Sequence, residues 1–223
     1  MSVTFPGESP EYRAARDKLL QQEVELRRAT EAVAKARREL PPGGLVAPGY
    51  VFEVSDELGS PKRVELKDLF GPKHDTLALY SFMYGPDRKE ACPMCTGLLD
   101  GLNGVAEHLA QRLELCVVAE SPLSRLLEFA KQRDWKRLRL ISAVGKGYNT
   151  DYHGKSSKGN DTTMLNVFQR KNGEVRHFWA SQLCHTEKDP GQDDRNLDII
   201  TPTFNVLDLT PEGRGDFYTK LRY

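Results

Sequence analysis

Two of the chain's four cysteines, Cys92 and Cys95, stand two residues apart in the stretch Tyr84-Gly-Pro-Asp-Arg-Lys-Glu-Ala-Cys92-Pro-Met-Cys95-Thr-Gly. Thiols at that spacing can close a disulfide or supply half of a metal site. An apolar run, Leu77 to Met83, precedes them and an amphipathic one, Leu98 to Leu113, follows. That order predicts a strand, a loop, and a helix whose first turn carries the cysteine pair. The unpaired N–H groups and positive dipole of a helix start stabilise a thiolate, so Cys92 is expected to be the nucleophile. Such surroundings lower a cysteine pKa from about 8.5 to roughly 3.5–7.5. Pro93 suits the first helical position, where its missing N–H leaves nothing unpaired. Cys95, more shielded by the helix, is expected to attack the mixed disulfide formed at Cys92.

The other candidates have plainer readings beside sharper ones. Cys116 lies within an apolar strand and reads as a small core residue. Cys184 and His185 would complete a Cys₃His zinc set with Cys92 and Cys95, but adjacent ligands are not the paired spacing of such sites, and the expectation is no metal and no cofactor. Gly145-Lys-Gly147 lacks phosphate-loop spacing. His108 falls near the far end of the CxxC helix, on its solvated side. His177 and Trp179 alternate with Arg176 and Phe178 on a hairpin strand; the plainer reading is a packed surface, the sharper one a cleft beside the dithiol. Tyr84, Arg88, Pro93, Thr163 and Trp179 are the residues expected to contact a substrate.

The elements that must position these residues follow from hydrophobic periodicity. Tyr50–Val54 alternates as a short strand, Val64–Phe70 reads as a strand running into a helical turn, and Leu77–Met83 is apolar enough for a strand buried on both faces. Leu115–Ala119 and Leu138–Ala143 are further strands, with a helix opened by Ser121-Pro122 between them. Strands alternating with helices at this spacing imply parallel crossovers. Gly145–Asp161 is a long polar loop. Met164–Arg170 and Glu174–Ala180 flank Asn172-Gly173, a strong hairpin signal that makes the sheet mixed. Thr210–Gly215 is expected to start or cap a last short helix.

From Glu11 to Leu40, apolar or small residues recur every three or four positions, broken only at Gln22, Ser9-Pro10 supplies a cap and a first turn, and Pro41-Pro-Gly-Gly44 ends the helix. At about 1.5 Å per residue it runs to roughly 45 Å. Either it lies across its own domain or it is an arm through which two copies pair; a homodimer through this helix is the expectation. The division expected is an arm over residues 1–44 and a domain over 45–223.

Composition narrows the function. With 223 residues, 39% hydrophobic and 29% charged, the chain reads as one ordinary globular domain with an appendage. Thirty-two basic residues balance thirty-two acidic ones, so neither nucleic acid nor an anionic membrane is an expected partner. The first residues lack a signal-peptide layout, and a CxxC in a cytoplasmic protein is more often catalytic or metal-binding than structural.

A buried strand, a CxxC at a helix start, a second strand–helix pair and a closing hairpin together resemble the thioredoxin-like fold. Val64-Glu-Leu-Lys-Asp-Leu-Phe resembles the peroxiredoxin-type extension ahead of it. More specifically, Tyr84–Cys95, Ser121–Trp135, Tyr148-Asn-Thr-Asp-Tyr152, the Asn172-Gly173 hairpin and Leu207–Arg214 are similar to the DUF899 family of bacterial thioredoxin-like proteins, described as dithiol-disulfide oxidoreductases. The resemblance covers roughly Gly49 to Arg214. It implies an α/β fold of the peroxiredoxin-type variant, with helices flanking a mixed central sheet, and an activity in which Cys92 attacks a disulfide, Cys95 resolves, and a thiol reductant regenerates the pair. Two departures stand out. The segment Asp161-Thr-Thr-Met164 has no proline where thioredoxins dock a substrate chain. Lys89 occupies the place of the Thr or Ser that peroxiredoxins carry three residues ahead of their reactive cysteine. A thiol peroxidase using Cys92 and a non-catalytic binding module are the alternatives.

Overall fold

The computed structural model describes residues 3–56, 58–144, 147–193 and 195–223; the side chain of Cys184 lies outside the described part, as do Gly145 and Lys146. The chain parts into two compact units between Pro41 and Pro42.

The first unit is the helix α1, Pro10–Arg38. Ser9 caps it, its side chain accepting from the Tyr12 N–H at 3.2 Å, and Pro10 occupies the first turn. None of its residues is buried.

The second unit is built on one sheet. Its strands are β1 (Val51–Ser55), β2 (Pro61–Glu65), β3 (Thr76–Ser81), β4 (Glu114–Ala119), β5 (Arg139–Ala143), β6 (Met164–Lys171) and β7 (Glu174–Ala180), and they run in the order β2-β1-β5-β4-β3-β6-β7. The pairings β3–β4 and β4–β5 are parallel and the remainder antiparallel. Helices α2 (Pro93–Leu109) and α3 (Leu123–Gln132) form the two parallel crossovers. This is the thioredoxin-like mixed sheet, with a β-hairpin added at one edge as in the peroxiredoxin-type variant. One helical turn, α4 (Tyr148–Asp151), sits in the long loop after β5.

Alternation along the central strands divides the core in two. Tyr80, Val117 and Leu140 face Leu98, Leu99 and Leu102 of α2 and Leu126 of α3. Leu77, Leu79, Cys116, Val118 and Ile141 face the other way, against Phe52, Leu69, Tyr148 and Phe168. At the hairpin tip Asn172 and Gly173 both have positive φ, 52° and 80°, the turn that matches the strands' twist. The last helix, α5, falls at Pro202–Leu207 rather than at the expected Thr210–Gly215, where the chain forms turns.

Candidate active site

β3 ends at Ser81, and the eleven residues between it and α2 carry the chain from the sheet to the dithiol. Polar contacts from two other segments hold this loop. The Ser121 hydroxyl donates to the Tyr84 carbonyl, and the Gly85 N–H donates to Asp161 Oδ2 at 2.8 Å. Arg125, on the polar side of α3, donates to the carbonyls of Gly85 (3.3 Å), Arg88 (2.5 Å) and Lys89 (3.1 Å). Its guanidinium lies 4.0 Å from the centre of the Tyr84 ring. The Cys92 N–H closes the loop on the Met83 carbonyl at 3.1 Å.

Cys92 is the N-cap of α2, with extended backbone (φ −64°, ψ 121°), and Pro93 follows as the first helical residue. Cys95 comes one turn in. Both are more enclosed than a helix start on an open surface would be: Cys92 is 7% exposed and Cys95 3%. The two thiols are pulled apart in acidity. Cys92 is brought down to about 6, first by a hydrogen bond from the Cys95 thiol, then by the backbone N–H groups of Cys95 and Met94 and the charge of Arg88, against the opposing effect of burial. Cys95 is pushed well up, first by that same bond to Cys92 and then by burial. One proton is thus shared unequally, with Cys92 as the thiolate and Cys95 as its donor.

Behind Cys95 stands Tyr80, fully buried on β3. Its phenol oxygen accepts from Thr163 Oγ1 at 2.8 Å, which leaves its own proton directed at the Cys95 sulfur. The Met83 N–H faces the same sulfur. Cys116 lies on the opposite face of the sheet, fully buried, its thiol pushed up to about 12 by desolvation.

Of the residues expected to contact a substrate, Arg88 and Pro93 border the dithiol, and Thr163 reaches it through Tyr80. Tyr84 is buried between Arg125 and the ring of Phe129, 5.3 Å away, where it supports the loop. Trp179 stands opposite Val167 on β7, two strands from β3. His177 does not share its face. The hairpin register pairs Val167 with Trp179 but Phe168 with His177, so Phe178 is an extra residue and the bulge turns His177 to the other side of the sheet. There it packs 5.3 Å from Phe168, with its Nε2 3.0 Å from Asn166 Oδ1, and lines a separate cavity of about 410 Å³ with Tyr50, Tyr152 and His153. His108 is exposed. Among the described residues no group of three or more His, Cys, Asp or Glu gathers as a metal site. The suggested zinc set depends on Cys184, whose side chain lies outside the described residues.

Tyr80, Ser121, Arg125 and Asp161 are absent from the sequence-derived site. Tyr80 reads as one more apolar strand residue and Arg125 as part of a solvated helix face. Only the fold, which brings β3, α3 and the start of β6 together, reveals them.

The family described as "Bacterial protein of unknown function (DUF899)" matches residues 2–222, and the chain belongs to it. Among solved structures, the peroxidoxin BcpB of Mycobacterium tuberculosis is similar at 18% identity, over 76% of this chain and 99% of that one, with a TM-score of 0.42. The mitochondrial 2-Cys peroxiredoxin of Plasmodium falciparum is similar at 16% identity, over 76% and 97%, with a TM-score of 0.47. The lipoprotein thioredoxin Etrx1 of Streptococcus pneumoniae is similar at 14%, over 69% and 98%, with a TM-score of 0.39. No curated protein matches the sequence. No helix among the described residues is long and apolar enough to cross a membrane.

Proposed function

We propose that this DUF899 protein is a cytoplasmic thiol-disulfide oxidoreductase working through Cys92 and Cys95. The Cys92 thiolate attacks one sulfur of a substrate disulfide, forming the Cys92–S–S–R bond and releasing the other half as a thiolate. Cys95 then loses its proton to solvent and attacks Cys92 Sγ, releasing the second thiolate and leaving the Cys92–Cys95 disulfide. An external thiol reductant supplies the two electrons that restore the pair.

The opposed pull on the two thiols carries this reading: one is held as a nucleophile near neutral pH, the other is kept protonated until needed. The same contacts explain the order of events. While Cys92 is a thiolate, Cys95 is its hydrogen-bond donor and cannot attack; once Cys92 is bound in a mixed disulfide, that bond is gone. The phenol of Tyr80 then remains as the donor that stabilises the Cys95 thiolate.

Trapping tests the assignment. A Cys95→Ser variant treated with hydroxyethyl disulfide is expected to stop at a mixed disulfide on Cys92, visible as an added mercaptoethanol mass, while the natural chain proceeds to the intramolecular disulfide. Absence of the adduct, or its appearance on Cys116, overturns the reading.

A further inference from the structure

The last residues of the chain run beside the dithiol, and their attachment is built rather than incidental. Thr219 is 8% exposed although it lies in a segment without regular structure, and its Oγ1 sits 3.4 Å from the sulfur of Met94, between the two cysteines. Its methyl group rests on Gly97: a Cβ added there would come within 2.7 Å of Thr219 Cγ2. Glycine two residues past Cys95, inside a helix, lowers helix stability by about 1 kcal/mol relative to alanine. Here its bare backbone forms the seat for Thr219. Two residues on, the Leu221 carbonyl accepts from Arg133 Nη1 at 2.8 Å, and the Leu221 side chain packs on the core cluster that contains both cysteines. Next to Thr219, the phenol of Tyr218 is held above its ordinary value, first by desolvation and then by negative charge at the dithiol. The tail is thus fastened on α2, at Met94 and Gly97 on either side of Cys95, and just past the end of α3 at Arg133.

We propose that residues 217–223 act as a strap that admits low-molecular-weight disulfides to Cys92 and excludes disulfides held in folded proteins. This rests on the redox reading of the dithiol. Displacement at a disulfide needs the attacking sulfur, the central sulfur and the leaving sulfur nearly in line. A protein disulfide brings polypeptide on both sides of that line. A thiol that is 7% exposed, with a fastened segment beside it, leaves no room for such a partner, whereas a slender disulfide has little bulk beyond its sulfurs.

Gly97→Ala tests this in the full chain. The new methyl displaces Thr219 while favouring the helix, so the fold is expected to persist. Thr219→Ser in the same background removes the colliding Cγ2 and keeps the hydroxyl, so it is expected to reseat the strap. Thr219→Gly is a second release that leaves α2 untouched. The readout is oxidation of the dithiol by hydroxyethyl disulfide and by insulin. Release is expected to raise the insulin rate by about tenfold, with the hydroxyethyl disulfide rate changed by less than about twofold, and the Ser rescue to reverse the gain. Where hydroxyethyl disulfide does oxidise the dithiol, an equal effect of release on both oxidants, or none on insulin, overturns the strap. In parallel, alkylation of Cys92 is compared between iodoacetamide and a maleimide on a 5-kDa polyethylene glycol. A release-dependent gain confined to the bulky reagent supports the strap even if neither disulfide reacts, which would sink the redox reading alone; an unchanged ratio overturns the strap.

Discussion

At the residue scale the decisive property is the unequal sharing of one proton between two enclosed thiols. Its largest cause is the hydrogen bond from Cys95, with the charge of Arg88 contributing least. Removing a donor to a thiolate destabilises the charged form and raises the pKa. Alkylation of Cys92 against pH is therefore expected to show a midpoint near 6 in the natural chain. Cys95→Ala is expected to move it upward toward the ordinary 8.5 or so, and Arg88→Leu to move it in the same direction by less. A larger shift from Arg88→Leu would contradict the assignment. Tyr80→Phe bears on the partner thiol. It deletes the phenol that faces Cys95 and leaves Thr163 Oγ1 without its acceptor, for a loss of about 1–2 kcal/mol in unfolding experiments. Reduction of the Cys92–Cys95 disulfide by external thiols, which expels Cys95 as a thiolate, is expected to slow. The pH midpoint of Cys92 alkylation is expected to move little.

At the scale of elements, the loop between β3 and α2 determines whether the dithiol is held in place, and Arg125 is its main clamp. Arg125→Met removes three bonds to loop carbonyls and the stacking on Tyr84. Chemical denaturation is expected to report a loss of about 2–3 kcal/mol, and the Cys92 midpoint to rise as the loop loosens. An unchanged midpoint would mean that the loop holds its shape without the clamp. This is also the scale that shows how far the sequence can be read. The central strands were legible because runs such as Leu77–Met83 are apolar enough to be buried on both faces, and the start of α2 because Pro93 marks it. The last helix is not legible in the same way, because Thr201-Pro202 and Thr210-Pro211 offer the same cap-and-proline signal and six residues give too little periodicity to choose between them. The bulge at Phe178, which sends His177 away from the site, depends on hydrogen-bond register between strands and has no local signature. The contacts of Thr219 with Gly97 and Met94 join residues more than a hundred positions apart, beyond the reach of any local pattern.

At the scale of the whole molecule, the chain joins a long helix with no buried residue to a domain that has a complete core on both faces of its sheet. Leu19, Leu26 and Val33 are exposed apolar residues of α1, and we propose that two copies pair through it. Sedimentation at micromolar concentration is expected to give a dimer for the full chain and a monomer after removal of residues 1–42. The truncated chain is expected to keep its dithiol chemistry, since Cys92, Cys95, Tyr80, Arg88, Arg125 and Thr163 all belong to the second unit. A full-length monomer would reject the pairing.

The central claim, that Cys92 and Cys95 form a working redox couple, is tested most directly by alkylation-coupled mass spectrometry of the native protein across a graded thiol–disulfide buffer. The account predicts one reversible two-electron transition in which Cys92 and Cys95 lose alkylation together and gain a shared disulfide while Cys116 stays reduced throughout. Independent titration of the two thiols, or a pair that stays reduced across the whole series, would contradict it.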